Sequence, residues 1–453
     1  MSVRDRLERA VREVQASARV PAVSAALHRA DRPLWTFAAG SPTDAAFRIG
    51  SVTKTFTAAL VMQCRDEGLL DLDDPIDRFL DVPAHGSLTV RRLMSHTSGL
   101  QREPYGDIWD TLLMPTEADM VRDLERVEQV LPPGRRFHYS NLAFSLLGMM
   151  VAGVRGSSWA SVLASRVLSP LGLSGTSVDR PPTATTGYLV DAYSDHARPE
   201  PQSDFGAIGA AGQLWSTASD MARWAAFLAD PATVDPSGTV LAASTVEEMR
   251  SPLTVTDEAQ WSAGLGLGLM LFPQGDRVVH VGHTGGMPGF LAGVYGRRSP
   301  GPGAPAAMGC AVLGSSGTAG EVVELPHRLL SLSASRDPAD IAPWTPGPAA
   351  PPAYRSVLGR WWSEGMEFVF TWSSGSLRAR GASDPADRPP AVFEPLPDRP
   401  DVLRTVSGRE VGELLRLTRD EAGSVVRMHW ATYRCTRQQE TFDGIPASTS
   451  AIL

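Results

Sequence analysis

Apolar positions recur along this chain with two different periods. Val3, Leu7, Val11 and Val14 stand at helical spacing, so residues 3–18 read as an amphipathic helix. Residues 22–39 alternate, and Asp31-Arg-Pro33 interrupts them as a hairpin turn. Phe56, Leu60, Val61 and Cys64 return to the helical period, which predicts a helix from just after Ser51 to about Glu67, closed by Gly68. Helical patterns follow at 116–130, 142–154, 158–168 and 221–228. Residues 179–206 are rich in Pro, Thr, Asp and Tyr and read as a long loop. Alternation then takes over at 261–272, 278–286, 290–295 and 308–313, before a helix at about 320–333. That order predicts helices first and an antiparallel sheet late.

Residues 337–352 carry six prolines and few apolar side chains, the composition of a linker. Beyond it the pattern is wholly of the strand type: 366–372, 376–380, 391–396, 402–406, 413–418 and 425–434. Six short strands with regular turns predict a small barrel or sandwich.

Composition narrows the possibilities. At 453 residues the chain exceeds one ordinary domain, and 43 % hydrophobic with 20 % charged residues is globular. A net charge of −8 argues against a nucleic-acid footprint. Cys64, Cys310 and Cys435 are odd in number and far apart, so buried reduced thiols are expected, not a disulfide framework. The charged N-terminus has no apolar core of a signal peptide, and no apolar run is long enough to span a bilayer. These features give a cytoplasmic expectation with no membrane partner.

One basic residue stands apart. Lys54 is the only lysine among 42 basic residues. Arginine cannot release its proton in a protein, whereas a desolvated lysine can. Lys54 lies three residues after Ser51, at a helix start, so hydroxyl and amine share one face and the hydroxyl sits at the positive end of the helix dipole. A residual lysine in an arginine-biased sequence would give the same match by accident, so the rest of the chain must support it.

Two further motifs follow in order: Tyr139-Ser-Asn141 and His283-Thr284-Gly285-Gly286. Each has a task in acyl transfer. Ser51 Oγ attacks a carbonyl. Lys54 and Tyr139 share its proton, with the phenol expected to be acidified by a neighbouring lysine ammonium. Asn141 orients Lys54 and a substrate amide. His283 sits beside the Tyr–Lys pair. Thr284 and Gly285 lie on the strand along which substrate rests, and the N–H of Gly286 joins that of Ser51 as an oxyanion hole. His96, in Ser95-His-Thr-Ser-Gly99, reads as a helix end and turn. Trp109, Tyr188 and Tyr193 are candidate substrate contacts in segments that otherwise read as packing.

Rival chemistries lack support. There is no Gly-x-Ser-x-Gly elbow. His280 and His283, three apart on a strand, face opposite sides and cannot share a metal. The acidic run at 71–74 lacks the spacing of a calcium loop, and Gly264, Gly266 and Gly268 do not fit a dinucleotide fingerprint. No cofactor and no metal are expected.

The three motifs, with Leu93-Met-Ser-His-Thr-Ser-Gly-Leu100, Pro132-Pro-Gly134 and Gly212-Gln-Leu-Trp-Ser-Thr217, resemble the serine β-lactamases and penicillin-binding proteins of the class C type, together with D,D-peptidases and related esterases. The resemblance covers about 20–330. It implies an α+β fold, an α/β sandwich with an antiparallel sheet plus an all-helical subdomain, over residues 1–335. A linker at 336–352, a lipocalin-like β-barrel at 353–440 and a tail at 441–453 complete the expected organisation. It also implies a serine hydrolase forming a Ser51 acyl-enzyme with a small-molecule or peptide ester, amide or thioester. Two alternatives stand beside it: transfer to an amine acceptor, as in a peptide-cyclising thioesterase, and an acylated sensor that does not turn over. Histidine where the family usually has lysine in the third motif points away from efficient β-lactam hydrolysis. Carrier-protein contact, oligomeric state and the purpose of the barrel (cap, docking module or stabiliser) stay open.

Overall fold

The computed structural model describes residues 2–257, 259–275, 278–298, 307–338, 343–385 and 388–441. Two compact units divide the chain, Met1–Asp340 and Ile341–Leu453. Of the expected linker, 339–342 lie outside the described residues, as does the expected tail from 442 onward.

The first unit is built on one antiparallel sheet. Its strands are β1 (Val23–Arg29), β2 (Arg32–Ala39), β3 (Thr254–Val255), β4 (Gly264–Leu265), β5 (Met270–Pro273), β6 (Val279–Met287), β7 (Phe290–Arg297) and β8 (Met308–Gly314). Their spatial order is β2-β1-β8-β7-β6-β5-β4-β3, so the first strand pairs with the last. Around the sheet pack α1 (Val3–Ser17), α2 (Thr53–Asp66), α3 (Asn141–Arg155), α4 (Ala218–Ala229) and α5 (Glu321–Arg336).

Every residue of β8 is buried, as befits a strand covered on both faces. Met308, Cys310 and Val312 join a core with residues of α1 and α5. Ala311 and Leu313 join the larger core that includes α2, α3 and α4. Alternation thus assigns each strand residue to one of two cores. Gly309 lets α4 lie close: a Cβ there would come 2.0 Å from the carbonyl oxygen of Ala222. All three cysteines are buried and free. Among the described residues, no single helix is long and apolar enough to cross a membrane.

Three expected elements differ. The stretch expected as a long loop at 179–206 holds a two-stranded antiparallel sheet, Tyr188–Val190 with Ala197–Pro199. The helix expected over 116–130 is α-helical only over Glu117–Arg122, followed by a 3-10 turn at Asp123–Arg126. Beyond it the chain pairs back onto the 99–101 stretch, with Gln101 N–H donating to Glu128 O and Leu131 N–H to Gly99 O. The expected strand 261–272 is two short strands around a tight turn, where Gly268 takes φ +72°. Leu265, Leu267 and Leu269 are all buried, so the Gly/Leu alternation reflects close packing and not two faces of one strand.

In the second unit, β9 (Gly359–Ser363), β10 (Met366–Ser373), β11 (Ser376–Gly381), β12 (Ala391–Leu396), β13 (Arg399–Ser407), β14 (Leu414–Arg419), β15 (Val425–Trp430) and β16 (Tyr433–Cys435) pair strictly in sequence. A bridge between Trp362 and Thr436 brings the ends together, so the sheet is a nearly closed barrel of eight strands, not six. The expected 425–434 strand breaks at Ala431, which takes φ +55°, and β9 is a further strand that was not expected. Trp361, Phe368, Phe370, Phe393 and Trp430 fill the interior.

Candidate active site

Ser51 lies in a one-turn 3-10 helix, Gly50–Val52, that runs directly into α2. The short strand Phe47–Arg48 pairs with Trp215–Ser216 and anchors this turn. Lys54, one turn on, is completely buried. Its Nζ lies 3.0 Å from Ser51 Oγ, 2.7 Å from Asn141 Oδ1 and 2.7 Å from the carbonyl oxygen of Ala211. Burial drives its pKa well below that of a free lysine, a shift that nearby Glu103 opposes and Arg102 assists. A neutral amine has two N–H donors and one lone pair. Asn141 Oδ1 and Ala211 O can only accept, so they take the two N–H groups. The third contact runs from Nζ to Ser51 Oγ, and when the amine is neutral its lone pair is left for the Ser51 hydroxyl, the one partner able to donate.

Tyr139 and Asn141 flank the N-terminus of α3. Ser140 caps that helix, its Oγ accepting from Ala143 N–H. Tyr139 is half-buried and hydrogen-bonds Ser51. Here the sequence expectation fails. Burial raises the phenol above its ordinary pKa, outweighing the Ser51 hydrogen bond. The burial that raises the phenol also disfavours the charged form of Lys54. At neutral pH the phenol therefore keeps its proton. Asn141 Nδ2 donates one of its two N–H groups to Glu103 Oε1 at 2.6 Å, which leaves the second for a substrate amide.

Glu103 was not singled out by the sequence, where it stands in an unpatterned Gln-Arg-Glu-Pro stretch. Its carboxyl accepts from Asn141 and from Trp109, yet Oε2 is buried with no protein partner. Burial pushes its pKa above the ordinary value, against those hydrogen bonds and the nearby Arg102 and Lys54. Ala211, which contributes only a carbonyl oxygen, was equally invisible.

The third motif lies on β6. His283 is buried, with its ring centroid 6.1 Å from that of Tyr139. Its Nδ1 sits 2.5 Å from the Thr284 carbonyl oxygen. A carbonyl only accepts, so Nδ1 carries the proton and Nε2 presents a lone pair. Burial and Lys54 hold the imidazole pKa down to about 3, so it is neutral. His280 points to the other side of β6, stacked on His327. Strand β6 pairs with β5 only over Val279–Gly282, whereas its pairing with β7 continues to Met287. The β5-side edge of Thr284, Gly285 and Gly286 is therefore unpaired by that strand. The glycines serve close approach to the nucleophile turn. A Cβ on Gly50 (φ +50°) would come 2.7 Å from the nitrogen of Gly286, and one on Gly285 would come 1.9 Å from Ile49 O.

The structure thus gathers Ser51, Lys54, Tyr139, Asn141, His283 and Gly286 around one point. Trp109 joins their margin, half-exposed, hydrogen-bonded to Glu103 and with its ring 5.7 Å from that of Phe205. Tyr188 bonds through its backbone to Gly289 and Ser315. Tyr193 is fully exposed and makes no described side-chain contact with the cluster. Among the described residues, no group of three or more His, Cys, Asp or Glu side chains is arranged to hold a metal.

Known proteins share this arrangement of elements. Penicillin-binding protein 4 of Amycolatopsis lactamdurans is 33 % identical over 59 % of this chain and 72 % of its own length. Matches to the first curated relatives span about half or less of those proteins. A D-stereospecific amidohydrolase from Streptomyces sp. superposes with TM-score 0.59 at 26 % identity, covering 70 % of this chain and 98 % of the other. SurE superposes with TM-score 0.60 at 25 % identity over 96 % of this chain and 99 % of its own. Residues 350–437 match a family described as Domain of unknown function (DUF7586), which leaves the lipocalin-like expectation for the barrel unsupported. Residues 7–301 match the family model described as Beta-lactamase, and the chain belongs to that family of serine hydrolases.

Proposed function

We propose that the protein is an acyl-transferring hydrolase that uses Ser51 as nucleophile and Lys54 as its base. The observation that carries this reading is the enclosed Lys54 amine, bonded to Asn141 Oδ1, the Ala211 carbonyl oxygen and Ser51 Oγ, whose charged form burial disfavours. Lys54 takes the Ser51 proton as Oγ adds to the substrate carbonyl. The N–H groups of Ser51 and Gly286 hold the developing oxyanion. Tyr139, protonated and beside Ser51, gives its proton to the departing group, and the Lys54 ammonium formed in the first step returns the proton to Tyr139. Water then cleaves the acyl-enzyme along the reverse proton path.

The substrate we favour is an amide or ester whose acyl part bears a free amine. The unpartnered Glu103 Oε2 and the lone pair on His283 Nε2 make the cleft rich in acceptors. A protonated amine satisfies such groups, and a substrate carboxylate does not. The half-exposed Trp109 beside Glu103 offers an apolar face to the adjacent side chain. Likeness to a D-stereospecific amidohydrolase agrees with an amide substrate.

The test pairs chromogenic anilides and esters of hydrophobic amino acids, free and N-acetylated, of both configurations, with a chromogenic cephalosporin. Wild type is expected to prefer the free-amine substrates and to turn over the cephalosporin slowly. Ser51→Ala is expected to lose on the order of 10³-fold or more in kcat. Equal turnover by Ser51→Ala would remove the assignment. Added amines that divert the product from acid to amide would identify the acceptor as an amine, and acylation without release would identify a sensor.

A further inference from the structure

His96 reads from sequence as a turn residue, and it does follow the short helix Val90–Met94 with φ +54°. Its surroundings are those of a second task. The ring is buried and lies flat on Tyr139, with centroids 4.3 Å apart and planes inclined by 22°. Phe144 packs against it at 5.0 Å and Phe137 edge-on at 6.0 Å. The same residue grips the backbone on both sides of Tyr139. His138 N–H donates to the His96 carbonyl at 2.8 Å, and Ser140 N–H donates to His96 Nδ1 at 3.0 Å. Only the left-handed backbone at His96 turns its carbonyl and ring to the same stretch.

Because Nδ1 accepts from an amide, the neutral ring carries its proton on Nε2. Burial keeps the ring neutral, with Lys54, His283, Arg102 and His138 adding repulsion against a second proton. Those are the titratable groups that face it.

We infer that His96 is a positioning residue for Tyr139, holding the phenol oxygen on Ser51 by stacking on its ring and clamping the backbone at both flanks. The inference rests on the proposed acyl-transfer role of Ser51 and Tyr139. A ring displaced by about 1 Å lowers proton-transfer rates steeply while leaving substrate binding alone.

Two variants separate the stack from the clamp. His96→Asn tolerates the left-handed backbone and keeps an oxygen near Ser140 N–H, but has no ring. His96→Phe keeps a ring and loses the acceptor. His96→Asn is expected to lower kcat roughly 30- to 100-fold with KM within about threefold, and His96→Phe to retain more of kcat than His96→Asn. Ultraviolet titration of the seven tyrosines supplies a readout independent of turnover: uncovering Tyr139 in His96→Asn is expected to bring one additional phenol into ionisation at about pH 10–11. Melting temperatures establish that both variants are folded. If wild type shows no Ser51-dependent turnover, the functional reading falls and the titration alone judges the stack. An unchanged tyrosine titration in His96→Asn, or kcat within threefold of an active wild type, would overturn the inference.

Discussion

Strand β1 meets its partner β8 from the opposite end of the first unit, whereas every strand of the barrel pairs with its neighbour in sequence. The two interiors differ in the same sense. The barrel buries Trp361, Phe368, Phe370, Phe393 and Trp430, and its buried polar side chains are hydroxyls such as Ser363, Thr405 and Thr436. The first unit buries Lys54, Arg29, Arg48, His96, His280 and His283. Non-local assembly brings side chains from α2, α3, β6 and the 96–103 stretch to one place, where a single element could not supply them. Within the first unit a finer contrast decides function. Arg29 is met by Asp31 at 2.8 Å and Asp337 at 3.1 Å, a buried charge with its counter-charges. Lys54 hydrogen-bonds only neutral groups, so burial lowers its pKa instead. A compensated cation holds the fold together, and an uncompensated amine becomes a base.

Replacing Lys54 attacks that contrast directly and has the largest expected effect. Lys54→Arg keeps a cation but cannot accept a proton, and kcat is expected to fall on the order of 10³-fold. Activity within tenfold of wild type would mean that Lys54 supplies only charge. Lys54→Met tests neutrality through stability. The folded amine sheds its proton well below the ordinary lysine value, whereas the unfolded chain holds it to about pH 10.4. Between those limits the unfolded state binds more protons, so this group makes wild-type stability rise with pH. Lys54→Met lacks that contribution. Its urea-unfolding free energy, whatever its offset, is expected to lose ground against wild type from about pH 7 to pH 10. Parallel curves would show that the buried amine stays charged.

Glu103→Gln has a smaller expected effect and sharpens the division between binding and chemistry. The amide keeps an acceptor for Asn141 and removes the charge. KM for a free-amine substrate is expected to rise roughly tenfold, the worth of one charge-assisted hydrogen bond, with kcat nearly unchanged and the N-acetylated substrate unaffected. Wild-type preference for the free amine should also fade on acidification. Glu103 loses its charge as pH falls through a carboxyl pKa that burial has raised, and Glu103→Gln should lack that dependence. Equal losses on both substrates would make Glu103 an orienter of Asn141 and no more.

Ser51, Lys54, Tyr139, Asn141 and His283 were legible because side-chain chemistry, order and local spacing all appear in the sequence. Glu103 and Ala211 were not. One is an isolated carboxylate in a loop, and the other acts through a backbone oxygen that any residue possesses. His96 was placed correctly as a turn, but its ring reaches Tyr139, 43 positions further along the chain, a distance no periodicity encodes. The charge on Tyr139 was misjudged for a related reason. Adjacency to a lysine suggests an acidified phenol, while burial, a property of the whole fold, lowers the lysine pKa and raises that of the phenol. Long helices and the late sheet were readable from local period. The Gly264–Met270 turn was not, because Gly/Leu alternation looks the same whether it serves two sheet faces or one crowded corner.

Trp361→Ala carries the smallest expected effect on catalysis and probes the comparison from the other side. Trp361 is fully buried, donates from Nε1 to Val357 O at 2.6 Å and lies under the Arg437 guanidinium at 3.9 Å. Truncation opens a cavity in a barrel that has no second core, and is expected to cost about 3–5 kcal/mol of its stability. Urea unfolding followed by limited proteolysis should show Ile341–Leu453 opening at lower denaturant, while Ser51-dependent ester turnover in buffer stays within about twofold of wild type. If turnover instead falls along with barrel protection, the aromatic interior serves the reaction as well as its own fold. The polar cluster of the first unit would then be necessary for catalysis but not sufficient.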